Sequence, residues 1–105
     1  MAARILVLYP PPADPAAFDK YYFSTHIPLA RKVPYLRGMK FSAGVPQALA
    51  GTAPYLITEL EFDSMADLQA ALTSPEGQAT AGDVPNFASN PTILIYETRA
   101  DAVAK

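Results

Sequence analysis

The chain of 105 residues has no cysteine, no tryptophan and a single histidine, His26. Without cysteine there are no disulfides, no thiolate nucleophile and no zinc site built on sulfur. One imidazole leaves a transition-metal site dependent on carboxylates or on a second subunit, so no metal is expected. The glycines, Gly38, Gly44, Gly51, Gly77 and Gly82, are scattered, which excludes a dinucleotide fingerprint and a phosphate loop. No cofactor is called for on these grounds. No apolar run approaches the length of a signal or a membrane span, since the N-terminal one stops at Pro10-Pro11-Pro12. The formal charge is −2 with acids and bases interspersed, so nothing favours a phosphate backbone or an anionic membrane. These exclusions describe a cytoplasmic protein of one domain, residues 1–105, without nucleic-acid or membrane partners. They also single out His26, the one side chain whose unperturbed charge changes near neutral pH.

The hydrophobic pattern is regular. Residues 4–9, Arg4 followed by five apolar residues in a row, have strand length and are read as a strand buried on both faces. Asp14 followed by Pro15 is a helix start, an N-cap acceptor with proline at N1, and residues 16–25 carry Phe18, Tyr21, Tyr22 and Thr25 at helical spacing. Pro28 disfavours the α conformation at Ile27, so a kink or restart is expected there, with a further turn over residues 29–32. Residues 39–43 read as a second strand, residues 45–53 as a loop, and residues 55–62 as a third strand. In the third, Leu56, Thr58, Leu60 and Phe62 share one face, and Tyr55, Ile57, Glu59 and Glu61 the other. Ser64 and Asp67 form a capping box for a second helix, Ser74-Pro75-Glu76 restarts a helical stretch toward Gly82, and residues 83–87 read as a loop. Residues 92–97 are the last strand, and residues 100–105 are expected to fray.

The order β-α-β-β-α-β predicts an α+β, ferredoxin-like fold: a four-stranded antiparallel sheet with both helical crossovers on one face. The other face is then bare yet apolar, because the first and last strands are apolar on both sides. A patch of that size marks an interface, so a homodimer is expected, with a monomer covered by its own tail as the alternative.

The runs Leu8-Tyr9-Pro10, Asp14-Pro15-Ala16-Ala17-Phe18-Asp19-Lys20-Tyr21-Tyr22, Thr25-His26-Ile27-Pro28-Leu29 and Val33-Pro34-Tyr35-Leu36-Arg37-Gly38 together resemble the EthD family, named from an ether-degradation cluster. The second half agrees in residues 62–72, 74–77 and 83–87, so the likeness spans a core of residues 4–97. It implies a dimeric α+β barrel similar in fold to muconolactone isomerases and to cofactor-independent monooxygenases of quinone and polyketide metabolism. Members are often labelled reductases, which is not a mechanism. One departure stands out: Tyr35 occupies a place where glycine after the proline is frequent, which bears on the turn before the second strand.

On a helical wheel Phe18, Tyr22, Thr25 and Leu29 face the core, and His26 falls at the border of that stripe. A helix end near Pro28 would leave unpaired carbonyls beside His26 and favour the imidazolium, making His26 either a donor or acid toward a substrate oxygen or merely a cap of its own helix. Tyr22 and Tyr9 are phenolic donors able to orient a bound oxygen, or core residues with one wet end. Asp83 is placed to close over the pocket or pair with His26, or to make a local turn bond. Glu59 is expected on the dimer-facing side of the sheet, as a base of raised pKa or in an inter-subunit hydrogen bond or ion pair with Lys40 or Arg37. Catalytic candidates are thus His26, Tyr22 and Asp83, and substrate-binding candidates are Tyr9, Phe18, Glu59 and Phe87. The reading is an isomerase- or oxidoreductase-type enzyme of catabolic or secondary metabolism, using acid–base chemistry on a small, apolar, oxygenated ligand. A binding or carrier protein and a dimeric accessory subunit are the alternatives, and haem on His26 as axial ligand is a further option.

Overall fold

A computed structural model describes residues 1–101. It contains β1 (Ala3–Tyr9), α1 (Pro15–Tyr21), a π-helical turn (Tyr22–His26), α2 (Ile27–Ala30), β2 (Gly38–Phe41), β3 (Leu56–Phe62), α3 (Met65–Thr73), α4 (Pro75–Asp83), a 3₁₀ turn (Val84–Asn86) and β4 (Thr92–Glu97). The strands form one antiparallel sheet in the order β2-β3-β1-β4, the ferredoxin-like arrangement. The frayed tail expected over residues 100–105 lies, from residue 102 onward, outside the described residues. No helix among the described residues is long and apolar enough to cross a membrane.

Local chemistry explains the helix starts. Asp14 accepts from the Ala17 N–H and is followed by Pro15 at N1. Ser64 accepts from Asp67 N–H at the start of α3, and Ser74 accepts from Gly77 N–H at the start of α4. Gly77 is required for a second reason: a Cβ there would lie 2.0 Å from the Ala71 carbonyl oxygen, so only glycine lets α4 pack this closely onto the end of α3. That contact sets the course of α4 toward its last residue, Asp83.

The helix interruption expected at Pro28 takes a specific form. Proline has no N–H to donate, and its ring crowds the carbonyl four residues back. The ladder instead widens, with Ile27 N–H bonding to the Tyr22 carbonyl, and the helix runs on to Ala30 without a break. The wider turn also rotates His26 from the border of the stripe into the interior, where it is buried.

The two faces of the sheet differ. Ala3, Ile5, Val7 and Tyr9 of β1, with Leu56, Thr58 and Phe62 of β3, are buried under the helices. On the opposite face Leu6, Leu8 and Ile57 are only half-buried, and Leu94 and Tyr96 of β4 are exposed. Within one chain the helices cover one side of the first strand only, and its second apolar face belongs to the bare side expected of the sheet. Two corrections concern the ends of β3 and β2. Tyr55 precedes the strand and turns to the helix side, its ring against Phe18 and its hydroxyl donating to Asp19 at 2.8 Å. β2 stops at Phe41 because the Ser42 hydroxyl takes the next ladder bond from Ile57 N–H.

Tyr35 has φ +66°, the left-handed region in which a Cβ clashes with the backbone. This is why glycine suits the position, and Tyr35 is more than half exposed, so its ring recovers little by burial. Tyr35→Gly is therefore expected to raise stability in urea unfolding by up to about 1 kcal/mol, after allowance for the greater backbone entropy of glycine in the unfolded chain. A loss of stability would show that the ring makes a stabilising contact.

Candidate functional site

Tyr22 and His26 leave the π turn on the side that faces β1 and β3. Their rings stack 5.5 Å apart at 24°. Phe87, brought in by the 3₁₀ turn after α4, lies 4.5 Å from the His26 ring, and Tyr9 and Phe18 complete an aromatic cluster around Tyr22. Asp83 arrives from the second crossover. The sequence reading put it in a loop, but it is the last residue of α4 and is buried, so a helix holds its carboxylate in place.

Three donors converge on that carboxylate. The Tyr21 hydroxyl donates to Oδ1 at 2.6 Å, the Asn86 amide to Oδ1 at 3.0 Å, and His26 Nδ1 lies 2.9 Å from Oδ2. Burial pushes the Asp83 carboxyl up, but the bonds from Tyr21, Asn86 and His26 together outweigh it and hold the group below its ordinary range. An ionised carboxylate only accepts, so the shared proton sits on Nδ1 of His26. Nε2 then carries the lone pair. It has no hydrogen-bond partner among the described residues, yet it is not sealed away from open space.

The charge of His26 differs from expectation. Its pKa is lowered, because burial disfavours the imidazolium more than the bond to Asp83 and its negative charge favour it. The helix-end carbonyls expected to stabilise a cation are absent from this position, since the helix continues to Ala30. His26 is thus a neutral imidazole at pH 7, neither a cation nor a cap of its own helix.

His26 lines a cavity of about 110 Å³ between helices and sheet, together with Tyr9, Tyr22, Thr58, Val84 and Ile93. The Tyr22 hydroxyl and Thr58 Oγ1 lie 2.6 Å apart. Burial raises the pKa of both Tyr9 and Tyr22, so these phenols stay protonated donors. The remaining wall is almost wholly aliphatic. A wider groove of about 460 Å³ runs beside Pro11, Phe18, Tyr21, Asn86 and Phe87, on the far side of the aromatic cluster, and does not include His26.

The structure therefore brings His26, Tyr22 and Asp83 together, with Tyr9 and Phe87 beside them and Phe18 in the second layer of rings. Glu59 stands apart on the opposite face of the sheet. Within the chain Lys40 lies 3.1 Å from Glu61 and Arg37 lies 2.8 Å from Asp63, whereas the pairing expected of Glu59 is one between subunits. The sequence reading missed three residues. Thr58 had a signal, being the one polar residue in the helix-facing row of β3, and Asn86 had another, since it stands three residues after Asp83 and makes the local turn bond open to that residue; Tyr21 had none, because its partner lies 62 positions away. A haem does not fit this cavity, which is well below the ~300 Å³ at which cofactor sites begin. Among the described residues no three histidine, cysteine, aspartate or glutamate side chains converge as a metal site.

Comparison with known proteins places this geometry. A family model, the EthD domain, matches residues 10–91. An uncharacterized 11.0 kDa protein in the thcB-thcC intergenic region of Rhodococcus erythropolis is 42% identical over 95 residues, 89% of this chain and 90% of that one. A solved EthD family protein from Bacillus halodurans is 38% identical with a TM-score of 0.85, covering 94% of this chain and all of its own. Two more distant structures share the fold alone. A dimeric ferredoxin-like protein of unknown function from Thermobifida fusca has TM-score 0.69 at 14% identity, over 93% of this chain and 92% of its own. A hydroxynitrile lyase from Passiflora edulis has TM-score 0.74 at 15% identity, over 97% of each chain.

The site makes stability depend on pH in a definite direction. His26 has a lower pKa folded than unfolded, so on acidification the unfolded chain takes up its proton first. Stability is full above about pH 6.5 and falls as the pH drops toward the native value of His26. A second loss follows below about pH 4, as Asp83 is protonated through its depressed native value. Thermal melts from pH 8 to 3 are expected to show both steps in the wild type and only the lower one in His26→Gln. In the same series Tyr21→Phe, lacking one donor, moves the Asp83 carboxyl resonance to a higher titration midpoint.

Proposed function

The chain belongs to the EthD family, and from that premise we propose that it is a small-molecule enzyme of catabolic or secondary metabolism, acting by acid–base chemistry at His26 on an oxygenated, largely apolar substrate. The observation that carries this reading is the Nδ1–H bond of His26 to Asp83. It leaves Nε2 as a base beside an apolar cavity, with the ring neutral at working pH. Asp83 orients the ring and favours the imidazolium once a proton is taken, as the third member of a catalytic triad does. Tyr22 and Tyr9 supply hydroxyl donors for a substrate oxygen, and Phe18 and Phe87 pack behind Tyr22 and His26 without lining the cavity. A base facing donors suits an isomerase-type proton transfer, and it also suits deprotonating a phenol or quinol ahead of oxidation. That the Passiflora edulis protein of this fold is a hydroxynitrile lyase supports an enzyme on this scaffold.

The apolar open face supports a homodimer in which two sheets enclose a shared interior, as in a dimeric α+β barrel. Leu6, Leu8, Ile57, Leu94 and Tyr96 supply the contact, and the dimeric state of the Thermobifida fusca protein supports the same assembly. The helix-side cavity and the dimer face are then separate, and Glu59 belongs to the second.

The catalytic reading is tested by comparing wild type and His26→Gln on a panel of small ketones, lactones and quinols. Wild type is expected to convert a member of the panel, and the variant to lose about 10²- to 10⁴-fold in kcat with its circular dichroism unchanged. Ligand-induced thermal stabilisation without turnover in either protein would make the chain a carrier.

For the assembly, sedimentation at micromolar concentration is expected to give twice the 11.3 kDa chain mass. Leu94→Glu, which places a charge opposite Leu6 on the open face, is expected to give the single chain with its fold retained. A wild-type monomer would end the shared-barrel reading.

A further inference from the structure

The cavity beside His26 has a countable hydrogen-bonding character. Tyr9, Tyr22 and Thr58 all line it as a row of hydroxyl-bearing side chains, and the Tyr22 hydroxyl lies 2.6 Å from Thr58 Oγ1. Three hydroxyls bring three protons, and the link between Tyr22 and Thr58 uses one of them. No acceptor outside the row receives a bond from these hydroxyls among the described residues, so at least one O–H is left for a guest. On the other side His26 offers one lone pair, at Nε2, and no free N–H. The remainder of the wall is aliphatic, contributed by residues such as Ile5, Val7, Leu60 and Ile93.

Size narrows the guest further. At about 110 Å³ the cavity is smaller than the engineered apolar cavity of about 150 Å³ that holds benzene, so the guest is a compact body of one small ring or a short branched chain. A guest that satisfies both polar groups must accept one hydrogen bond and yield one proton nearby. Simple ethers accept but have no acidic hydrogen, and hydrocarbons do neither. A carbonyl compound with a hydrogen on the adjacent carbon does both, since its oxygen accepts and its α C–H becomes acidic as that oxygen is polarised.

Resting on the acid–base reading above, we propose that the cavity takes a compact monocarbonyl compound with an enolisable α C–H. The carbonyl oxygen sits on the hydroxyl row and His26 Nε2 removes the α-proton. In this step the C–H electron pair moves into the carbon–carbon bond and the carbonyl π pair onto oxygen, which the spare hydroxyl stabilises as an enolate. The imidazolium, held by Asp83, then returns the proton to the same carbon or to a conjugated one. The substrate is isomerised or epimerised with no net change of oxidation state and no co-reactant.

Cyclopentanone is the probe. In deuterium oxide near neutral pD, the full chain is expected to accelerate exchange of its α-hydrogens at least tenfold over buffer, followed by proton NMR, and to shift the Ile and Val methyl signals of the cavity. The rate should rise through the native titration of His26 and level off below the ordinary histidine range. His26→Gln should return exchange to the buffer rate with the methyl shifts retained. Tyr22→Phe should slow exchange at least tenfold, and Thr58→Val provides a second removal from the row should Tyr22→Phe fail to fold. Methylcyclopentane, which matches in size, should shift the methyls but exchange nothing.

Binding of cyclopentanone without exchange, or equal exchange by His26→Gln, would overturn the proposal. If another substrate is turned over through His26 while cyclopentanone neither binds nor exchanges, the carbonyl assignment fails and the acid–base reading stands. If no substrate depends on His26, both fall.

Discussion

A buried hydrogen bond between His26 and Asp83 joins residues 57 positions apart and ties the crossover helix of the first half to that of the second. Its energetics are those of any buried polar network: fully satisfied, it specifies one arrangement; with one partner removed, it strands a charge or a donor in a low-dielectric interior. Here it is satisfied from several sides. Tyr21 and Asn86 take the other carboxylate oxygen, and the rings of Tyr22 and Phe87 pack beside the imidazole. The site depends on two local features that point these groups at each other. Pro28 imposes the wider helical turn that brings His26 inside, and Gly77 permits the close helix contact that carries Asp83 toward it.

The same bond decides what kind of group His26 is. A histidine at a helix end, in water, leans toward the cation. This one is desolvated, and its single neighbouring charge only partly offsets that cost, so the neutral form prevails. Asp83 then serves less to charge the ring than to choose its tautomer. A neutral imidazole with Nε2 unpartnered among the described residues, in the wall of an apolar cavity that hydroxyl groups also line, suits proton transfer better than anion binding.

The sheet divides the remaining roles between its faces. The helix side holds the aromatic cluster and the cavity, and the open side carries Leu6, Leu8, Ile57, Leu94 and Tyr96. Glu59 and Glu61 lie on the open side, Glu61 within reach of Lys40 and Arg4. A carboxylate on β3 that looked like a base when only strand alternation was known is thus separated from His26 by the thickness of the sheet.

Much of this architecture was legible in the residues themselves. The alternation in residues 56–62, the bounds of β4, the caps at Asp14, Ser64 and Ser74, and the disruption at Pro28 all follow from side-chain chemistry acting over a few positions, and so did the α+β order and the bare face. The oddity of Tyr35 was visible too, though its cause, a left-handed backbone, was not. What only the tertiary structure decided was which groups meet and in what charge state. Tyr21 and Thr58 enter the site through partners far away in sequence, the π turn converts a border position into a buried one, and the protonation of His26 follows from the water excluded around it. Periodicity, caps and proline sterics are local and can be read along a chain, whereas desolvation and pairing are properties of the packed interior and exist only once distant segments have closed around the site.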